Sequence, residues 1–309
     1  MTIIANPKAG STQIDFVSAV QDACSTHCES VEVLWTKKPG HAAELARQCV
    51  PAGDSGRPDA IVSIGGDGTL REVVTGLIDA GSSDIPPLLV LPGGTGNSNY
   101  RHLWDDLPWQ QTVAAALTGA GGECRTLDLA RILNPSRLVV LGTSTGLFAE
   151  ATAEALTVPV AGRARYQQAI ASVMARYIPY AGRVVVDGTV VHDGKTVLVN
   201  VGGGRHRAGV FDVLPRSVPD DGLLDVCVIG ADMPVTEALQ RMRNGTHLES
   251  EAVHYARGRS ITVERTDGAP LRFEHDGEVV PADTQAFTIE VVPAALPVFA
   301  AHRRWEDTP

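Results

Sequence analysis

Three glycine-rich turns stand in the first hundred residues, each directly after a short apolar run. The central turn reads Gly65-Gly66-Asp67-Gly68-Thr69 and follows residues 61–64. The others are Pro92-Gly93-Gly94-Thr95-Gly96-Asn97 after residues 88–91 and Asn6-Pro7-Lys8-Ala9-Gly10-Ser11 after residues 3–5. Glycine has no Cβ, so a polyphosphate can lie against the bare backbone N–H groups of such a turn, and the start of the following helix favours negative charge.

Asp67 adds a carboxylate to the central turn, where it can face the metal ion that accompanies a phosphate. In an open α/β sheet, the carboxyl ends of neighbouring parallel strands line one crevice, and such sheets bind their ligands there. Three successive strand-to-turn junctions therefore predict a bound nucleotide. A tight turn that merely needed three glycines is the alternative for the central motif.

Two acidic turns occur late in the chain. Asp276-Gly277-Glu278 follows the apolar run around Phe273 and places two carboxylates on one turn, where one can act as a base beside its neighbour. Asp-Gly is also a common hairpin signal, so a plain turn is the alternative. The second turn, Pro219-Asp220-Asp221-Gly222-Leu223, is either a cation-binding loop or an ordinary acidic turn.

The elements that must position these residues alternate between strand and helix in the first half. Apolar periodicity predicts strands at 3–5, 31–34, 59–64 and 88–91, and helices at 12–28, 41–50, 70–80 and 107–117. Thr12, with Asp15 three residues later, is the predicted N-cap of the first helix. The alternation predicts a doubly wound α/β domain.

Closely spaced strands dominate the sequence after about residue 129. Asp187-Gly188 predicts a two-residue hairpin turn between strands at 183–186 and 189–192. Further strands are expected at 195–201, 224–229, 260–264, 271–274 and 286–292, with one helix at 164–178 that ends before Pro179. A second, mostly antiparallel domain is the prediction.

Composition limits the choice of partners and compartment. The 309 residues carry a formal net charge of −10, which argues against nucleic-acid binding and against strong electrostatic adhesion to anionic lipid. No apolar stretch of about 20 residues and no signal peptide is evident, so a cytoplasmic protein is expected. The five cysteines form no C-x-x-C pair; Cys24 and Cys28 extend the apolar helix stripe of Ile14, Val17 and Val20.

The ordered set of motifs resembles the family of diacylglycerol kinases, sphingosine kinases and bacterial lipid kinases, with the NAD kinases as more distant relatives. It consists of N-P-K-A-G-S at 6–11, T-x4-H-A at 36–42, G-G-D-G-T-L at 65–70, P-G-G-T-G-N at 92–97, P-D-D-G-L-L-D at 219–225 and D-G-E at 276–278. The resemblance implies an NAD kinase/diacylglycerol kinase-like fold. Its α/β nucleotide-binding domain would comprise 1–129 joined by 293–309, and its β-sandwich acceptor domain 130–292.

The resemblance also implies roles for individual residues. Nucleotide contacts are expected from Asn6, Thr36, Gly65, Gly66, Asp67, Gly68, Thr69, Thr95, Asn97 and Arg165. For Arg165 and its neighbour Arg163, a solvated helix start is the alternative. Asp276 is the preferred general base with Glu278 as its helper, although the counterpart of Asp67 has that role in some relatives. A structural Mg²⁺ would be bound by Asp221 and main-chain carbonyls, Leu223 among them, and Glu150 lies near an acid that recognises substrate in sphingosine kinases.

These roles predict an ATP- and Mg²⁺-dependent kinase that phosphorylates a hydroxyl of diacylglycerol or a similar lipid at the membrane surface, with a homodimer expected from relatives. A sphingoid base or another long-chain alcohol is the alternative acceptor. An NAD kinase would need an Asn-Glu dipeptide, which the sequence lacks. A non-catalytic nucleotide-binding regulator is the remaining alternative, because Ser98 replaces an acid that is frequent in the family.

Overall fold

The computed structural model describes residues 1–10, 12–51, 56–105, 107–160, 163–208, 210–281 and 283–302. The chain forms two compact units. Among the described residues, unit 1 comprises 1–127 and 294–302, and unit 2 comprises 128–293.

The elements alternate in unit 1 and are mostly strands in unit 2. Unit 1 contains β1 (Thr2–Ala5), α1 (Ile14–Ser25), β2 (Glu32–Trp35), α2 (His41–Gln48), β3 (Ile61–Gly65), α3 (Asp67–Asp79), β4 (Leu88–Pro92), α4 (Ser98–Trp104) and α5 (Trp109–Thr118). The strand β5 (Gly122–Leu133) leads into unit 2. There follow β6 (Ser136–Val139), β7 (Thr143–Thr145), α6 (Leu147–Ala155), α7 (Arg163–Met174), β8 (Tyr180–Val186), β9 (Thr189–Gly202), β10 (His206–Arg207), β11 (Phe211–Asp212), β12 (Leu224–Gly230), α8 (Val235–Asn244), a 3₁₀ turn (His247–Glu249), β13 (Val253–Gly258), β14 (Ser260–Arg265), β15 (Phe273–His275), β16 (Glu278–Val280) and β17 (Ala286–Ala301).

Unit 1 is built on a parallel sheet in the order β2-β1-β3-β4. The end of β17 adds a further parallel strand, with Val298 opposite Leu88. The central strands are fully buried because helices cover both faces of such a sheet, which explains their continuous apolar sequence. The carboxyl ends of β1, β3 and β4 all lead into the glycine-rich turns.

Unit 2 is antiparallel throughout its described strand pairs, with β8, β9 and β14 at its centre. Successive residues of β12 point into two different cores: Val226 and Val228 pack between strands, whereas Cys227 and Ile229 pack against α6, α7 and α8. This alternation follows from the two-residue period of a strand. The predicted fold class, an α/β domain followed by a mostly antiparallel sandwich, is confirmed.

Several local predictions were wrong. Thr12 does not cap α1: the residue before the helix is Gln13, and the Thr12 hydroxyl donates to the carbonyl of Gly93 (3.1 Å). The helix ends at Ser25, so Cys28 lies outside it, and Ile14 is exposed rather than part of the buried stripe. Three helices and seven strands were not predicted: α4, α6 and α8, and β5, β6, β7, β10, β11, β13 and β16.

Across the described residues, no helix combines the length and apolar character needed to cross a bilayer.

Candidate functional site

Two of the glycine turns of unit 1 contact each other through their backbones. The N–H of Gly93 donates to the carbonyl of Gly65 (2.9 Å). A Cβ on Gly94 would lie 2.4 Å from the Cα of Gly66, a distance that real Cβ atoms do not show. Glycine at these positions is therefore needed for the close approach of β3 and β4 at their carboxyl ends.

The Asp67 carboxylate joins these two turns. It is the first residue of α3, and its oxygens accept hydrogen bonds from the N–H groups of Ser98 (3.1 Å) and Asn99 (3.1 Å) and from Nδ2 of Asn99 (3.0 Å). Asp67 thus supplies the acceptors that the start of α4 needs, since Asn97 makes no side-chain cap there. An ionised carboxylate has about four lone-pair sites, so these three bonds from described residues leave room for a metal ion or its water.

Gly68 is the position of the central turn where a ligand has room. A Cβ placed on it meets no atom within 4 Å, and the residue is exposed. The first N–H groups of α3 have no partner within the helix, which makes this start favourable for an anion. The arrangement fits a nucleotide phosphate at Gly66, Asp67 and Gly68.

The remaining predicted nucleotide contacts of unit 1 support the turns. Nδ2 of Asn6 donates to the hydroxyl of buried Thr69 (2.8 Å), and the amide of Asn97 closes a ring with the backbone of Gly94. Buried Thr36 follows β2, and Thr95 is exposed. Ser11 lies outside the described residues.

Asp276 and Gly277 form the hairpin turn between β15 and β16, both with positive φ. The Asp276 carboxylate is 2% exposed and accepts N–H bonds from Val140 (2.9 Å), Leu141 (2.7 Å) and Gly142 (3.2 Å). Burial alone would raise the pKa of Asp276, but these bonds and the adjacent His275 outweigh it and hold the pKa below its usual value. Asp276 is therefore an ionised carboxylate with several donors. Glu278, which starts β16, is exposed.

Sequence reasoning missed the buried polar residues around this turn. Glu274 accepts the N–H of Gly277 (2.9 Å), and burial raises the pKa of Glu274, against the opposing effect of Arg207. The Ser144 hydroxyl donates to Asn200 Oδ1 (2.5 Å). Polar residues inside otherwise apolar strands, such as Asn200 in β9, were the only available signal.

Glu150 lies at a cleft of about 230 Å³ in unit 2, which opens to solvent. Its carboxylate pairs with Arg272, and the lining also includes Tyr177, Tyr180 and Leu271. Arg165 is exposed on α7, and its Nε donates to the carbonyl of Val160 (2.7 Å). The side chain of Arg163 lies outside the described residues.

In the loop predicted to bind Mg²⁺, the Asp221 carboxylate is paired with an arginine. Asp221 accepts the N–H of Leu223 (3.0 Å) through Oδ1, while its other oxygen contacts the guanidinium of Arg257. Within the described ranges, no group of three or more His, Cys, Asp or Glu side chains is placed to hold a metal ion. With the Asp221 charge already neutralised by Arg257, these residues as arranged do not fit a Mg²⁺ ion.

Comparisons with known proteins agree with the two-unit architecture. The family model "Diacylglycerol kinase catalytic domain" matches residues 1–132, and the model "YegS C-terminal NAD kinase beta sandwich-like domain" matches residues 142–300. A diacylglycerol kinase of Mycobacterium tuberculosis (strain ATCC 25618 / H37Rv) is 29% identical over 84% of this chain and 82% of the relative. The "Probable lipid kinase YegS" of Escherichia coli O9:H4 (strain HS) is 27% identical over 86% and 84%.

A solved structure of a diacylglycerol kinase from Bacillus anthracis str. Sterne superposes with a TM-score of 0.71 at 20% identity and covers 97% of this chain and 96% of that one. At this identity the likeness supports the fold alone. The chain belongs to the family that joins a diacylglycerol kinase catalytic domain to a YegS C-terminal domain. The prediction of a lipid-kinase enzyme is thereby confirmed.

Proposed function

We propose that the protein transfers the γ-phosphate of ATP, in the presence of Mg²⁺, to a hydroxyl of diacylglycerol or a similar lipid alcohol. The observation that carries the proposal is the pair of glycine turns held together by Asp67, in a chain whose relatives include a diacylglycerol kinase. Phosphoryl transfer depends mainly on positioning and charge stabilisation, which such turns provide.

In this proposal, the turn at residues 65–69 binds the phosphates, and the exposed Gly68 backbone approaches them most closely. Asn6, Thr36, Thr95, Asn97 and Arg165 contribute polar contacts to the nucleotide or to the turns. Asp67 would hold a Mg²⁺ ion or one of its waters through its remaining lone pair, and the bound ion would neutralise charge on the phosphates.

Two carboxylates are candidates for the base that accepts the proton of the acceptor hydroxyl. Asp276, with Glu278 as its helper, is the first. The three backbone N–H groups that donate to Asp276 lower its basicity. Asp276 can accept the proton only if the acceptor hydroxyl replaces one of these donors. Asp67 is the second. Replacing each by Asn and measuring the pH dependence of kcat separates them, because only the true base contributes the acidic limb of the profile.

The acceptor is proposed to reach the protein from a membrane surface by peripheral contact. Leu156 and Ile178 of unit 2, near the ends of α6 and α7, are 76% and 82% exposed and suit such a contact. A homodimer also belongs to the proposal, and light scattering of the purified protein tests it.

The acceptor class is tested by supplying labelled ATP and Mg²⁺ with diacylglycerol, sphingosine, ceramide, polyprenol or NAD, the lipids in mixed micelles. We expect label in the diacylglycerol product. Label on sphingosine alone would show that the acceptor is a sphingoid base instead of diacylglycerol. Label on NAD alone would contradict a lipid kinase.

A further inference from the structure

Arg257 lies opposite Asp225 on adjacent strands of unit 2. The strands β12 and β13 pair antiparallel with these two residues in register, so both side chains lie on the same face of the sheet. Nε of Arg257 is 3.5 Å from Oδ1 of Asp225, and Nη2 contacts Oδ2 of Asp221. One guanidinium therefore serves two carboxylates.

Asp225 makes a counter-charge necessary at this place. Its side chain is 0% exposed; Oδ1 accepts the hydroxyl of Tyr255 (2.8 Å), and Oδ2 has no hydrogen-bond partner among the described residues. A buried carboxylate is costly unless a cation or several donors compensate it. Arg257 can do so because its planar group carries five donors in a fixed fork.

The backbone of the loop at residues 219–223 is held by hydrogen bonds within the protein. The N–H of Gly222 donates to Asp128 Oδ2 (2.6 Å), and the carbonyl of Pro219 accepts the N–H of Asp128 (2.8 Å). Leu223 donates to Asp221 Oδ1 (3.0 Å). A Mg²⁺ ion bound through Asp221 would have to displace the guanidinium and would still need a nearly complete shell of oxygen ligands.

We propose that the guanidinium of Arg257 takes the place of a divalent cation at this loop. The loop 219–223 is then ordered by an internal cation and needs no metal. This inference is independent of the proposed function, because its test concerns the folding of unit 2 in the absence of nucleotide and lipid.

The test compares thermal unfolding, and hydrogen exchange of the peptide covering residues 219–225, in EDTA and in millimolar MgCl₂. Wild-type protein is expected to show the same Tm within about 1 °C and the same exchange in both. Arg257→Ala is expected to lower the Tm by roughly 3–6 °C in EDTA. Mg²⁺ should then restore part of the loss, because Asp221 and Asp225 become available to a cation.

The matched control is Arg259→Ala, an exposed arginine two residues further along the chain. Its Tm should stay close to that of the wild type in both buffers. A wild-type Tm that rises with Mg²⁺, with the rise lost in Asp221→Asn, would overturn the proposal. So would Arg257→Ala behaving like Arg259→Ala.

Asp221→Asn carries the test if Arg257→Ala does not fold. An equal loss of Tm in EDTA and in Mg²⁺ supports an internal cation, since the lost partner is Arg257. A loss seen only in Mg²⁺ overturns the proposal, since the lost partner would then be the metal.

Discussion

At the scale of single residues, Asp67 has two tasks in unit 1. Its carboxylate supplies acceptors to the start of α4, and it lies at the turn proposed for the phosphates. The glycine-rich motif in the sequence was enough to predict the position of Asp67 at a phosphate-binding turn. It could not indicate the first task, because the donors at Ser98 and Asn99 are 31 and 32 residues away and α4 has no sequence signal that names Asp67.

Replacing Asp67 by Asn should separate these tasks. The amide keeps an acceptor oxygen, so we expect a loss of stability of only about 1–2 kcal/mol. Phosphoryl transfer should fall by roughly 100-fold or more, because the charge facing the metal is removed. The control is Asp79→Asn at the far end of α3, whose ion pair with Arg47 is about half exposed and so contributes little. Equal activity in the two variants would contradict the proposed role.

Asp276→Asn should affect both folding and activity. An amide cannot accept all three backbone N–H bonds, so we expect unit 2 to lose roughly 1–3 kcal/mol of stability. Transfer should be largely lost while ATP affinity, measured by titration calorimetry, changes little. Because the pKa of Asp276 is lowered, its stabilising contribution is complete above the unfolded-state value of about 3.9 and is lost as the pH falls further. Unchanged turnover would exclude Asp276 as the base.

At the scale of elements, the glycine turns allow a sharp comparison between two substitutions. Gly68→Ala adds a methyl group in open space within α3, so the Tm should stay equal or rise slightly. Its ATP affinity should fall by roughly 10-fold, about 1.4 kcal/mol, since the methyl group occupies the space proposed for phosphate. Gly94→Ala collides with the backbone of Gly66 and should instead destabilise the fold by about 1–3 kcal/mol. Unaltered ATP affinity in Gly68→Ala would contradict the phosphate site.

The 3₁₀ turn at His247–Glu249 should make unit 2 sensitive to acid. Burial lowers the pKa of His247, whose Nε2 lies 3.1 Å from the carbonyl of Val213. The unfolded chain therefore binds the proton more readily, and the contribution of His247 to stability is complete above about pH 6.5 and is lost as the pH falls below it. Burial raises the pKa of Asp225 to about 6, so Asp225 stabilises the folded state as the pH falls, opposite to His247. The effect of His247 is therefore obtained by comparing the pH dependence of the wild type with that of a His247 variant.

We expect His247→Gln to lose less stability than the wild type between pH 7 and pH 5, measured by urea unfolding at each pH. An identical dependence on pH in both proteins would show that His247 does not carry the effect.

The elements also show where sequence reasoning succeeds. Strands that end in glycine turns were predicted because both signals are local, and the Asp187-Gly188 hairpin has the expected positive φ at both residues. Thr12 was misassigned as a cap because its actual partner, Gly93, is 81 residues away. The buried pair of Ser144 and Asn200 was missed for the same reason, since it joins strands that are 56 residues apart.

At the scale of the whole molecule, the order of the motifs along the chain led to the prediction of the lipid-kinase family. Each motif has a local structural alternative, and the Asp276-Gly277 turn is indeed a hairpin as well as a candidate site. The family assignment then follows from matches that cover residues 1–132 and 142–300. The family defines the class of enzyme, and a measured reaction identifies the acceptor.

The most direct measurement is the initial rate of γ-phosphate transfer from ATP to diacylglycerol in mixed micelles, with Mg²⁺ and with EDTA on the same preparation. The proposed function predicts a labelled lipid product whose formation saturates with ATP and requires Mg²⁺. Tight ATP binding without a labelled product from any lipid would contradict it and would favour a nucleotide-binding regulator.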